Sequence, residues 1–315
     1  MKRILEGLCM IGMIAVMAGF LMVPAMAAIN GSSEGSFTLS NSPPVITQLN
    51  ITGNPATLDP DTEYTMEITV SDMNTLNDLN YLWILPKYKG SWTGPWYVWE
   101  SGTWTDVLNA VEWPLGDSTD PELNNTVGTF YVNFTISKVA TESADGDWGF
   151  DVYASDFANS NDDIALTGFN MNWRGEITTV NPSFDFGSIA LNDISKPIIS
   201  PGDGKIDITV IANGNYSLDS KSDHWTNGSN MATLASATTL NSGEFSLEND
   251  GANSATGGLP LVENIYDTIS DYSLLTGPTV VEGVPKPIYV WVSVASEGLL
   301  PGTYSGNYYA QIVNG

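Results

Sequence analysis

The chain has 315 residues, with 36 Asp or Glu against 10 Lys or Arg, so its net charge at pH 7 is −26. This charge excludes a nucleic-acid binder and argues against docking on anionic lipid, because both need surfaces rich in Lys and Arg. A hydrophobic content of 42% excludes global disorder, and the length suggests about two domains.

The first 27 residues have the pattern of a secretory signal peptide. Lys2 and Arg3 precede an apolar stretch over residues 8–23, and Ala25-Met26-Ala27 offers a small-x-small cleavage site. We expect cleavage after Ala27, an extracellular or cell-surface location, and no membrane span in the remaining chain. Two alternatives stay open: a leader retained as an anchor, and a pilin-type leader cut after Glu6-Gly7.

Asparagine sequons predict that the exported chain is N-glycosylated. Six Asn-X-Ser/Thr sites begin at Asn30, Asn50, Asn124, Asn133, Asn215 and Asn227. The only cysteine, Cys9, lies in the leader, so the mature chain contains no disulfide. Dense sequons without disulfides favour an archaeal surface protein, although some sequons arise by chance in a chain rich in Asn, Ser and Thr.

Residues 28–42 are small and polar, which predicts a flexible tail. Within the tail, residues 36–40 alternate as a short β segment does, with Phe37 and Leu39 as the apolar positions. This segment is a candidate donor strand that adds to a sheet edge of a neighbouring copy. The alternative is that it docks on the first domain of its own chain.

From residue 43 onward, apolar residues recur at every second position, which predicts half-buried β-strands. The clearest runs are Tyr64, Met66, Ile68 and Val70; Phe130, Val132, Phe134 and Ile136; and Trp148, Phe150, Val152 and Ala154. Turn residues separate these runs. The pattern predicts an antiparallel, immunoglobulin-like β-sandwich over residues 43–178.

A second β-sandwich is predicted over residues 179–315. Its alternating runs are Ile206, Ile208 and Val210; Ile288, Val290, Val292 and Val294; and Tyr304, Tyr308, Ala310 and Ile312. The stretch 219–285 is too long for an ordinary loop, so we expect short strands there and one helical turn around 261–266. The predicted fold class is therefore all-β, with two tandem antiparallel sandwiches.

Two stretches carry a family resemblance. The first resembles an immunoglobulin-like module that recurs in archaeal surface proteins, through residues 43–45, 64–79, 126–130, 138–142 and 148–156. The second is similar to β-sandwich modules of archaeal and Gram-positive surface proteins, loosely like WxL and pilus-type domains, through residues 184–189, 208–216 and 300–306. The WxL signature itself is missing. The resemblance implies a structural role at the cell surface and brings no catalytic residues.

Acidic loops at strand ends are candidate calcium sites, because calcium binds six to eight oxygen atoms from such loops. The best candidate combines Asp72, Asn74, Asn77 and Asp78. No loop matches the EF-hand pattern. The alternative is an Asx turn or a solvated acidic loop. No other cofactor is expected.

Aromatic residues crowd the region 88–104, where Trp92, Trp96, Trp99 and Trp104 are the candidates for stacking on a sugar. The alternative is that these rings fill the core of the sandwich. Because neighbouring residues of a strand point to opposite faces, Trp96 and Tyr97 cannot both be buried on one face.

The sequence offers little catalytic chemistry. His224 is the sole histidine, so the mature chain has no zinc site built from His and Cys, and a Ser-His-Asp triad has only this base to use.

We predict a secreted, glycosylated, non-enzymatic surface component: an S-layer-associated protein, an adhesin or a filament subunit. Its partners are other surface proteins, copies of itself, or glycans. The alternatives are a carbohydrate-binding module that uses region 88–104, and a secreted glycoside-active enzyme.

Overall fold

The structure is a computed structural model that describes residues 35–93, 96–108, 112–179, 181, 183–253 and 258–315. The predicted leader, Cys9 and Asn30 lie outside the described residues. Residues 35–44 contain no strand, and Phe37 and Leu39 are exposed there. Among the helices that these ranges contain, none has the length and apolarity needed to cross a membrane.

Within the described ranges the chain is all-β, as predicted. Its strands are β1 (Val45–Ile51), β2 (Thr57–Leu58), β3 (Glu63–Ser71), β4 (Leu79–Tyr88), β5 (Ser91–Trp92), β6 (Tyr97–Glu100), β7 (Thr103–Asp106), β8 (Val127–Thr135), β9 (Ser143–Asp156), β10 (Asn161–Met171), β11 (Gly175–Thr179), β12 (Lys196–Pro197), β13 (Lys205–Ala212), β14 (Tyr216–Ser222), β15 (Trp225–Asn227), β16 (Asn230–Leu234), β17 (Glu244–Asp250), β18 (Leu259–Pro260), β19 (Asp267–Thr268), β20 (Val284–Val294) and β21 (Tyr308–Asn314). Two short 3-10 turns, Leu76–Asp78 and Gly202–Gly204, are the helical segments of these ranges.

Two sheets share the first hydrophobic core. One has the order β1-β3-β8, and the other has the order β2-β10-β9-β4-β6-β7 with β5 paired to β4. The pairs are antiparallel except β2 with β10. The predicted alternation is confirmed, because Met66, Ile68 and Val70 of β3 are fully buried against the inward residues of β8 and β9. Burying one face of each strand in this way fixes the register of the pairing.

A separate hydrophobic core lies between two further sheets. One has the order β11-β13-β20-β17-β16-β15, with β12 and β18 at its side, and the other has the order β19-β14-β21. Ile206, Ile208 and Val210 of β13 are buried, as their spacing predicts. Within this group, β16 and β17 pair in parallel.

Three details differ from the sequence prediction. The stretch 219–285 contains short strands, but residues 261–266 form isolated bridges and a turn in place of the expected helical turn. Tyr304 precedes the last strand, which begins at Tyr308. The predicted boundary at 178/179 falls inside β11, whose residues pair with β13. The change of sheet therefore occurs between Met171 and Gly175.

Asn213, which follows β13, connects the two groups of sheets. Its side chain is fully buried, and its amide donates hydrogen bonds to the carbonyl oxygens of Ala140 and Asn172, both at 2.8 Å. Its Oδ1 accepts from the backbone N–H of Arg174 at 2.7 Å. Its own backbone N–H donates to the carbonyl of Arg174, and its carbonyl accepts from the N–H of Glu142. One asparagine thus joins three chain segments.

Four charged side chains surround this junction at the surface. The Arg174 guanidinium lies 2.8 Å from the Asp61 carboxylate and 3.2 Å from that of Glu176, and the Lys138 ammonium lies 3.3 Å from Glu176. Burial raises the pKa of Glu176, but the hydrogen bonds and charges of Lys138 and Arg174 outweigh this effect and lower it overall. All four side chains are about a third exposed, so water screens their attraction and they contribute little to stability.

Asn213→Ala is therefore expected to destabilise the fold. The substitution removes the partner of two carbonyl oxygens and one N–H group at a buried or partly buried position, and a buried group left without a partner costs about 1–3 kcal/mol. We expect the free energy of unfolding in urea to fall by about 3 kcal/mol in total. Asn125→Ala, at an exposed position, is the matched control and should change it by less than about 0.5 kcal/mol. Equal midpoints for the two variants would contradict this role of Asn213.

Candidate functional site

Three aspartates converge at one end of the first pair of sheets. Asp72 directly follows β3, Asp78 ends the short 3-10 turn before β4, and Asp156 is the last residue of β9. Because β4 and β9 are antiparallel neighbours with Leu79 opposite Asp156, the start of one strand meets the end of the other. Each aspartate contributes a carboxylate oxygen to a group whose members lie within 4.8 Å of one another.

The loop between β3 and β4 holds the group together. Asp72 Oδ1 accepts a hydrogen bond from the backbone N–H of Asn74 at 2.7 Å. The backbone N–H of Thr75 donates to the carbonyl of Asp72, and that of Asp78 donates to the carbonyl of Thr75. The loop therefore turns back on itself and returns Asp78 to the side of Asp72.

Burial and like charge make this group electrostatically unusual. Asp72 is 2% exposed and Asp156 is fully buried. Burial raises the pKa of Asp72, the hydrogen bond from Asn74 opposes the rise, and the charges of Asp78 and Asp156 add to it. The other oxygen of Asp72, Oδ2, is buried and has no hydrogen-bond partner among the residues that the structure describes. The site therefore disfavours its own negative charge.

The four residues predicted as a calcium site separate into two pairs. Asp72 and Asp78 lie in the group. Asn74 is exposed, and its Oδ1 accepts the N–H of Ser42 at 2.8 Å, while Asn77 is exposed as well. Sequence reasoning missed Asp156 as a ligand. Its position after an alternating run marked it as a strand end, but only the pairing of β4 with β9 brings it to Asp72.

The four predicted sugar-stacking tryptophans also have different surroundings. Trp99 is 1% exposed and packs edge-on against Phe130, and the half-buried Trp104 contacts the same ring. The indole N–H groups of Trp99 and Trp104 donate to the two carboxylate oxygens of Asp120, at 2.8 and 2.9 Å. These two rings therefore belong to the core. Trp92 is 61% exposed and Trp96 is half-buried, so these two rings reach solvent.

A stacked aromatic pair that the sequence analysis did not single out lies on β4. The rings of Tyr81 and Trp83 are 4.9 Å apart and inclined by 26°, and Trp83 is exposed. Trp83 lies opposite Val98 of β6 and Tyr153 of β9, both half-buried. Because residues two apart share a face of a strand, the alternation of β4 could have placed Tyr81 and Trp83 together on the outer face.

The sequons differ in how accessible their asparagines are. Asn124 and Asn215 are exposed. Asn50, Asn133 and Asn227 are half-buried; Oδ1 of Asn133 accepts the hydroxyl of Thr65 at 2.6 Å, and Nδ2 of Asn227 donates to the carbonyl of Pro301. The structure thus separates two open acceptor sites from three that are partly covered.

Both ring nitrogens of His224 contact other parts of the protein. Its Nδ1 accepts the backbone N–H of Leu234 at 3.0 Å, and its Nε2 lies 3.0 Å from a carboxylate oxygen of Glu263. Both ring nitrogens are therefore used in holding the loop between β14 and β15. Among the hydrogen bonds of the described residues, neither nitrogen contacts a serine hydroxyl, as the base of a triad must.

No protein-family model matches this chain, and no curated protein matches it either. Among solved structures, the chain is similar to a DUF4466 family protein from Parabacteroides merdae, with a TM-score of 0.28 and 10% identity. That similarity covers 79% of this chain and 99% of the other. A likeness this distant carries no argument about the function of this chain.

Asp120→Ala is expected to destabilise the first pair of sheets. It leaves the indole N–H groups of Trp99 and Trp104 without their acceptor, which costs about 1–3 kcal/mol for each buried group. Urea unfolding followed by tryptophan fluorescence should show a free-energy loss of about 2–4 kcal/mol.

Asp117→Ala removes the same charge from an exposed position nearby and should leave the unfolding curve unchanged. If both variants unfold at the same urea concentration, the two indole hydrogen bonds do not stabilise the core.

Proposed function

We propose that this protein is an exported, N-glycosylated structural component of a cell surface, without enzymatic activity. In this proposal the two groups of sheets are tandem immunoglobulin-like sandwich modules. This assignment is supported by the fact that each group has its own hydrophobic core, because a sandwich buries apolar surface between its two sheets. The modules act as a scaffold for contacts with other surface proteins or with further copies of the chain.

The observation that carries this proposal is the exposure of Asn124 and Asn215. The two sequons belong to different groups of sheets: Asn124 precedes β8 and Asn215 precedes β14. A glycan attaches to the amide nitrogen of asparagine, so an exposed side chain accepts it without disturbing a core. With the signal-peptide pattern of residues 1–27, these two positions favour a chain that is exported and carries sugar on both modules.

An S-layer-associated protein, an adhesin and a filament subunit are all compatible with such a scaffold. The filament form of the proposal uses residues 36–40 as a donor strand. Its support is that Phe37 and Leu39 are exposed and lie in no strand, which leaves two apolar side chains of one β face free for pairing.

Mass spectrometry of glycopeptides from the native protein tests the proposal. We expect glycans at Asn124 and Asn215, and lower occupancy at Asn133, where the side chain is half-buried and hydrogen-bonded. Immunogold imaging of intact cells should place the same protein at the surface. A cytosolic protein that retains Met1 and carries no glycan would overturn the proposal.

Carbohydrate binding is a second candidate function, favoured by the Tyr81–Trp83 pair. Tyr81 stacks against one face of Trp83, and the exposed part of the Trp83 ring forms an apolar platform on the outer face of β4. Such an amphipathic ring suits the stacked face of a sugar. Trp83 pairs with Val98 of β6, so the platform lies beside the region 88–104 that the sequence offered as a candidate for sugar stacking.

Glycan-array binding of Trp83→Ala tests this second function. If the platform binds sugar, the variant should lose at least about tenfold in affinity, which corresponds to about 1.4 kcal/mol. Tyr131→Ala, which removes an exposed ring from β8 in the other sheet, is the control and should bind as the unmodified protein does. Equal binding by both variants and the unmodified protein would exclude the platform.

A further inference from the structure

The three converging aspartates have no basic partner. The described residues contain eight Lys and Arg side chains, and each of them interacts elsewhere: Lys87 with Asp151, Lys89 with Asp147, Lys138 and Arg174 with Asp61 and Glu176, Lys196 with Asp193, Lys205 with Asp207, Lys221 with Tyr266 and Tyr309, and Lys286 with Tyr272. Among the described residues, the negative charge of the group is thus left without a neutralising cation.

A buried oxygen atom in this group also has no hydrogen-bond donor. Asp72 is 2% exposed, and one of its oxygens accepts the N–H of Asn74. The other, Oδ2, has no donor within the described part of the chain. A buried carboxylate oxygen without a donor is costly, and buried charges in proteins are paired or coordinate metals. Two separate observations therefore point to a bound cation. Three carboxylates converge, and one buried carboxylate oxygen lacks a donor.

We propose that Asp72, Asp78 and Asp156 bind a calcium ion. Oxygen ligands select the hard cations, and calcium accepts six to eight of them in flexible geometry. Each of the three carboxylates offers one oxygen to the group, and water completes the shell. Magnesium fits less well because it demands near-ideal octahedral geometry and gives up its water reluctantly. This proposal does not depend on the protein being glycosylated or on its location.

The ion would hold the segment that leads into β1 against the end of β9. The amide of Asn41 donates to Asp156 Oδ2 at 2.6 Å, and the backbone N–H of Ser42 donates to Asn74 Oδ1 at 2.8 Å. The N–H of Ser160 donates to the other oxygen of Asp156 at 2.8 Å. Calcium held by Asp72, Asp78 and Asp156 therefore joins the loop between β3 and β4, the end of β9 and, through Asn41, the segment that leads into β1.

Thermal unfolding and calorimetric titration of the purified protein test the site. At constant ionic strength, we expect the unfolding temperature to rise with calcium, with a dissociation constant of about 10⁻⁴–10⁻³ M, the weak end of the range for calcium sites in proteins. Asp72→Asn and Asp78→Asn should each weaken calcium binding at least about tenfold, because each removes an anionic ligand. In the presence of a chelator, both variants should unfold at or above the temperature of the unmodified protein, because each relieves repulsion between carboxylates.

Asp163→Asn is the matched control, since it removes one charge from an exposed position on β10 and should keep the full calcium response. Magnesium at the same concentration is the control for general screening of the acidic chain. The proposal is overturned if calcium does not raise the unfolding temperature, if magnesium raises it equally, or if Asp72→Asn and Asp78→Asn keep the full response. Should Asp72→Asn fail to fold, Asp78→Asn and the titration of the unmodified protein decide.

Discussion

The hydrogen bonds of Asn213 are the constraint on which the arrangement of this molecule depends. Among the described residues the two hydrophobic cores are separate clusters, so each pair of sheets is held by its own apolar burial. The junction is instead polar and buried, with the Asn213 side chain bonded to Ala140, Asn172 and Arg174. A fully satisfied buried polar group fixes a specific geometry, because any displacement leaves donors and acceptors unpaired. The surface charges around it add little by comparison.

Alternation of apolar and polar residues was enough to predict the class of fold. The runs at 64–70, 130–136, 148–154 and 206–210 lie in or beside strands whose inward residues are buried, because period two matches the pleat of a strand with one face in a core. The helical turn expected at 261–266 failed for a different reason. Short segments there are held by isolated bridges to distant parts of the chain, such as Ser222 with Glu263, and no local pattern reveals such contacts.

In the candidate sites, too, the sequence predicts contacts between residues that are close in sequence but not contacts that depend on the pairing of distant strands. Asp72 and Asp78 are close in sequence, and their spacing in a loop after an alternating run was sufficient to select both. Asp156 joins them only through the pairing of β4 with β9, which a single sequence does not specify. Trp99 and Trp104 could be predicted as a cluster, but their burial depends on Asp120, which accepts both indole N–H groups from a separate segment.

The position of Asn213 also has a consequence for the chemical lifetime of the protein. Asn213 is followed by Gly214, and an asparagine before glycine is prone to spontaneous deamidation, because the small residue lets its backbone nitrogen attack the side-chain amide. In the fold this amide is buried and held by three hydrogen bonds, so it is kept from rotating toward that nitrogen. Conversion to aspartate would set a carboxylate against two carbonyl oxygens. The hydrogen bonds that align the two groups of sheets therefore also slow deamidation of the Asn213-Gly214 dipeptide. Transient opening of the junction would release the amide and allow this irreversible reaction.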